Sequence, residues 1–87
     1  MALGFPNASR HYDEAMHAVR FWGHDGAIEA SFFIDAHALT KIQPGTASDE
    51  VGLLGAFDAN RELIYRTATK VYSRGRKGAY DVRPTDL

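Results

Sequence analysis

AVRFWGHDGAIEASFFID, Ala18 to Asp35, reads as two strands joined by a tight turn. Asp25-Gly26 is a two-residue hairpin signal, because a type I′ turn needs positive φ at both central positions. That turn sets His24 opposite Ala27, Trp22 opposite Glu29 and Phe21 opposite Ala30. A four-residue loop, Gly23 to Gly26, is the rival register and sets Arg20 opposite Glu29, a favourable cross-strand charge pair. Both registers sort the faces identically, since side chains alternate along a strand. Val19, Phe21, Ile28, Ala30, Phe32 and Ile34 share one side. Arg20, Trp22, Glu29, Ser31 and Phe33 share the other. The first side is wholly apolar and must be covered. The second is mixed, with Trp22 and Phe33 as its exceptions.

Downstream, Asp35 is placed to cap a short helix from about Ala36 to Ile42, because its carboxylate accepts the free amides of a first turn. Ile34 and Leu39 then have the spacing of a hydrophobic staple, and Lys41 suits the negative end of the helix dipole. Pro44-Gly45 stops that helix. Thr46 reads as the cap of a long helix from Ala47 to Arg74. Apolar residues recur along it at Val51, Leu54, Phe57, Ile64, Ala68 and Val71, with Gly75 as the stop. A last strand spans Ala79 to Arg83. Upstream, Leu3-Gly4-Phe5 suits a short edge segment, and Tyr12 to His17 has no clear period and reads as loop, with a helical turn as the alternative. The order is ββααβ: an antiparallel hairpin, a short helix, a long helix and a C-terminal strand. This is one α+β domain over residues 1–87, with helices on one face of a small sheet.

Composition narrows the function classes. A chain of 87 residues buries roughly 60–65% of its unfolded surface, so its core is thin. It has no cysteine, which excludes disulfides and thiolate metal sites. No apolar run reaches membrane-spanning length, and MALGFPNASR lacks the apolar core of a signal peptide. The expectation is a cytoplasmic protein without membrane contact. Charge is unevenly spread: residues 1–60 carry a net −5 and residues 61–87 a net +4.

Phe5-Pro6, Val19-x-Phe21, the turn glycine Gly26, and Phe57-x-x-x-Arg61-x-x-Ile64-x-x-x-Ala68 together resemble small bacterial proteins of the domain of unknown function 1488 family. The resemblance runs from Leu3 to Val82 and rests on order and spacing. It implies a compact α+β domain of bacterial origin. It implies no activity, substrate, cofactor or catalytic residue.

The residues themselves mark no reaction. His11, His17, His24 and His37 have no partners at helical metal-site spacing. Ser31 and Ser48 lack the surroundings of a nucleophile, and Asp13-Glu14 and Asp49-Glu50 are not marked as a catalytic pair. Gly23 to Gly26 has an acid at its centre and joins strand to strand, so it does not cradle a phosphate. The expectation is therefore no enzyme, no metal and no cofactor. Arg61 interrupts the apolar stripe and needs a counter-ion, with Glu29, Asp58 and Asp81 as candidates, or must reach solvent past its own stem.

Two interaction readings remain. In the first, the protein is an interaction or accessory module that self-associates as a homodimer. A continuous helix from Ala47 to Arg74 runs about 40 Å, whereas six- or seven-residue strands span about 20–23 Å. The far end of the helix, Val71 and Tyr72, then lacks cover, as do Trp22 and Phe33 on the opposite sheet face. A second copy joined by a two-fold axis is the simplest cover. A helix break near Gly52 and Gly55, or residues 1–17 folding back over the sheet, removes the need for one. In the second reading, Arg66, Lys70, Arg74, Arg76 and Lys77, with tyrosines interleaved, bind nucleic acid or another polyanion. A solvated, basic helix C-terminus accounts for the same residues.

Overall fold

The computed structural model describes residues 3–75 and 78–87. Its elements are β1 (Leu3–Gly4), β2 (Arg10–Asp13), β3 (Ala18–Asp25), β4 (Ile28–Asp35), α1 (Ala36–Ile42), α2 (Glu50–Ala59), α3 (Arg61–Tyr72), β5 (Tyr80–Val82) and a 3-10 turn (Pro84–Asp86). The α+β class holds, but four strands precede the helices instead of two.

β3 and β4 form the expected hairpin, with a register shifted by two residues. Asp25 faces Ile28, Trp22 faces Ser31 and Phe21 faces Phe32. The two-residue turn is Gly26-Ala27. Gly26 has φ of 63° and Ala27 keeps a negative φ, the sign pattern of a type II′ turn. A shift of two preserves the faces, so Val19, Phe21, Ala30, Phe32 and Ile34 all lie in the core. Ile28, at the turn, is 45% exposed.

On its other edge β3 pairs antiparallel with β1 and β2 in tandem. The edge segment at Leu3 is present. The stretch read as loop is part strand, because Arg10 to Asp13 is held by its pairing with Phe21 to Ala18. Between the two short strands Phe5 turns inward and stacks on Tyr65, with ring centroids 4.2 Å apart and planes 3° apart. Gly23 makes room for it: a Cβ there would stand 2.9 Å from the Phe5 ring and 3.1 Å from Leu3. β5 pairs with β4 in parallel, so the sheet is mixed and not wholly antiparallel. The helical layer returns the chain to the middle of β4, where Tyr80 enters opposite Phe32.

α1 has the expected bounds, and the Ala38 N–H donates to the Asp35 carboxylate at 2.8 Å. The long helix is two helices. α2 starts three residues later than expected, capped by Asp49, whose carboxylate accepts from the Gly52 N–H at 2.8 Å. Residues before it fold against its first turn, so a methyl at Gly52 would collide with the Ala47 carbonyl. The chain breaks at Asn60, whose side-chain amide donates to the Ala56 carbonyl at 2.8 Å. The Asn60 backbone N–H donates instead to Phe57 O at 3.1 Å. An asparagine that competes for the helix's own carbonyls ends the helix there.

Two helices of roughly 15 and 18 Å replace the 40 Å rod. Both lie on the sheet, burying Leu53, Ala56 and Phe57 from α2 and Ile64, Thr67, Ala68, Val71 and Tyr72 from α3. At the centre the Phe21 and Phe32 rings lie 5.3 Å apart, flanked by Phe57 and Tyr80. Phe32→Ala should cost about 3–5 kcal/mol in urea-unfolding measurements, the range for deleting a buried aromatic side chain. Gly23→Ala should cost about 1–3 kcal/mol through the contact with Phe5. Combined with Phe5→Ala, its additional cost should shrink, and a double-mutant cycle reads that coupling directly.

Candidate functional site

The helices cover one face of the sheet. On the other, side chains of alternate residues form a continuous surface. His11, Arg20, Phe33 and Asp81 lie across it in one row, with Trp22 and Ser31 in the next and His24 and Glu29 beyond. Arg20 is the middle of this surface. Its guanidinium carbon lies 5.3 Å from the Trp22 ring centroid and 5.5 Å from that of Phe33. Its terminal nitrogen donates to Ser31 Oγ at 3.1 Å. Trp22 and Phe33 are half-buried. Arg20 Nε and His24 Nδ1 are buried without a hydrogen-bond partner among the described residues. Beside Phe33 a groove is lined by Asp35, Asp81, Val82, Arg83 and Pro84. Such a surface can hold an apolar or aromatic group and offer it a cation at the centre and carboxylates at the side.

A second cluster ties the helix layer to the sheet edge. Arg10 of β2 grips Asp58 with two hydrogen bonds, at 3.0 and 2.8 Å. Arg61 reaches the same carboxylate at 2.7 Å, lies 4.9 Å from the Phe57 ring centroid and donates to the Tyr65 hydroxyl at 2.7 Å. Asp58 is thus the counter-ion for the charge in the apolar stripe, and Glu29 and Asp81 are not. The Arg10 hydrogen bonds, with those from Arg61, outweigh partial burial and hold the Asp58 carboxyl below the usual carboxylate range. In turn Asp58 raises the Arg10 guanidinium. Burial pushes the Asp86 carboxyl up, but the Arg83 backbone N–H and the Arg74 guanidinium outweigh it, and the net shift is downward.

Of the residues read as basic and nucleic-acid-facing, Arg66 and Lys70 are exposed on α3, while Arg74 bonds Asp86 at 2.7 Å. Arg76 and Lys77 lie outside the described residues. The self-association residues separate. Trp22 and Phe33 come together around Arg20. Val71 and Tyr72 are each 8% exposed on the opposite side, and Tyr72 donates its hydroxyl hydrogen to Asp25 at 2.9 Å. The helix break supplies the cover that Val71 and Tyr72 were expected to lack. Sequence reading passed over Arg20 and Arg10. The signal for Arg20 was its place beside Trp22 in the strand alternation; for Arg10 there was none, since its strand was not recognised. Among the described residues no three His, Asp or Glu side chains gather as metal ligands. No helix there is long and apolar enough to cross a membrane.

The fold and this surface define a small two-layer α+β domain with one sheet face that no described helix covers. The family model for proteins of unknown function, DUF1488, matches residues 3–83, and the chain belongs to that family. Comparison with curated proteins and with solved structures finds no match.

The Asp58 cluster gives a pH test. A depressed carboxyl pKa contributes stability that is present above the unfolded value, about 3.9, and is lost as pH falls through the folded value. Asp58→Asn should therefore cost about 1 kcal/mol at neutral pH, modest because all three partners are partly exposed. The difference from wild type in urea midpoint should narrow as pH drops from about 5 towards 2.

Proposed function

We propose that this chain is a protein-interaction module that self-associates through the uncovered sheet face, two copies meeting across a two-fold axis. The observation that carries the reading is Arg20 held between Trp22 and Phe33, its Nε without a partner among the described residues, at the middle of a face that no described helix covers. Tryptophan and arginine are the residue types that dominate interface hot spots. A face that pairs with itself must answer its own charges, and this one holds Arg20 and Arg83 together with Glu29, Asp35 and Asp81. Two sheets packed face to face sit about 10 Å apart, which leaves room for interdigitated aromatic side chains.

The same carboxylates argue against a polyanion on this face. The basic stripe on α3 offers Arg66 and Lys70, while Arg74 is tied to Asp86. The test is the mass in solution at micromolar concentration, by light scattering or sedimentation. Wild type should exceed the 9.6 kDa chain mass, and Trp22→Glu should halve the mass with the circular dichroism spectrum unchanged. A 9.6 kDa wild type across that range would sink the proposal.

A further inference from the structure

The pairing registers order the open sheet face into rows, and two neighbouring rows are opposite in character. In one, His11, Arg20, Phe33 and Asp81 stand side by side across β2, β3, β4 and β5. In the next stand Asp13, Ala18 and Asp35, followed by Arg83, one residue beyond the Ile34–Val82 pair. Along each strand, the two rows set imidazole next to carboxylate (β2), guanidinium next to a methyl (β3), ring next to carboxylate (β4) and carboxylate next to guanidinium (β5). No ion pair among the described residues includes Asp13, Arg20, Asp35, Asp81 or Arg83. Asp13 and Asp35 each give one oxygen to a nearby backbone N–H, of Met16 and Ala38. The charge of Arg83 acts on Asp86, but that carboxylate takes its hydrogen bonds from the Arg74 guanidinium and the Arg83 backbone N–H. Residues two apart on a strand stand upright roughly 6–7 Å from each other, which keeps Asp81 and Arg83 of one chain apart.

We propose that these two rows are each other's partners when two copies meet: the two-fold axis lies between the packed sheets, at right angles to the strands, above Val19, Ile34 and Val82. The inference rests on self-association through the sheet face and fixes its register. Such an axis exchanges the rows. Asp81 meets Arg83 of the other copy, and His11 meets its Asp13. Arg20 enters over its Ala18, between the carboxylates of its Asp13 and Asp35. Each contact is made twice, as an isologous interface requires. Sheets packed about 10 Å apart leave a gap that a long side chain facing a short one fills. The groove of about 450 Å³ beside Phe33, lined also by Val82 and Pro84, receives the apolar stem of the incoming Arg83. Charge rejects the neighbouring axes. One directly above the first row sets Arg20 on Arg20, and one above the second sets Asp35 on Asp35. One a step further, between Arg20 and Trp22, sets Asp35 on Glu29. An axis along β4 again sets Asp35 on itself.

Charge reversal tests the pairing. Asp81 and Arg83 are both exposed, so Asp81→Arg and Arg83→Asp should each keep the wild-type circular dichroism spectrum. Either variant alone sets like charges together at both contacts, and should weaken the dimer about tenfold or more in sedimentation equilibrium. An equimolar mixture of the two restores opposite charges at both contacts and should dimerise as wild type does. The double variant Asp81→Arg/Arg83→Asp should do so by itself. Suppose Trp22→Glu lowers the mass, but the single reversals keep wild-type affinity, or weaken it and neither the mixture nor the double variant recovers it. The row pairing is then overturned and the sheet-face contact stands. A wild type that stays at 9.6 kDa overturns the sheet-face reading and the pairing with it.

Discussion

The side-chain amide of Asn60 takes the Ala56 carbonyl that its own backbone N–H would have bonded in a continuous helix. The rest of the helical layer depends on that substitution. With the rod broken, Phe57 and Ile64 are both fully buried, and α3 packs against β5. The break also puts Arg61 at the start of a helix, three residues from Asp58, where the carboxylate that anchors Arg10 can serve a second guanidinium. A corner, a core and an ion-pair cluster thus share one origin.

What the sequence disclosed divides by physical range. α1 was legible to the residue, because its cap, staple and stop are local. Which residues of the hairpin share a face was legible too, since alternation survives any shift of two. The register was not: Gly26 supplies positive φ as the first central residue as readily as the second, and only pairing along the whole strand decides between them. β2 was hidden for a deeper reason. Arg-His-Tyr-Asp has no apolar alternation, and these residues are a strand because β3 offers them its edge. Asn60 gave no warning in a stripe whose apolar spacing continues past it.

The surface was half legible. Trp22 and Phe33 were identified as misfits on a polar face, and they do lie together there. Arg20, which joins them, was legible only as a cross-strand partner for Glu29 in the rival register, and the fold sets it between two rings instead. The length argument for Val71 and Tyr72 assumed one continuous helix, and with the helix broken both residues are buried within the chain.

The order of elements along the chain has a consequence during synthesis. All of β1 to β4 leaves the ribosome before any of α2 or α3, and the apolar face with Phe21, Phe32 and Ile34 belongs entirely to that early part. At about 5–20 residues per second, the residues from Ala36 to Tyr72 take a few seconds more to appear. For that interval the sheet, if formed, has no cover on either side. Short, charged β2 at its edge is the kind of strand that discourages pairing with a neighbouring nascent chain. The features that hid this strand from sequence reading are the ones that guard this edge, while the edge of β4 stays open until β5 is made.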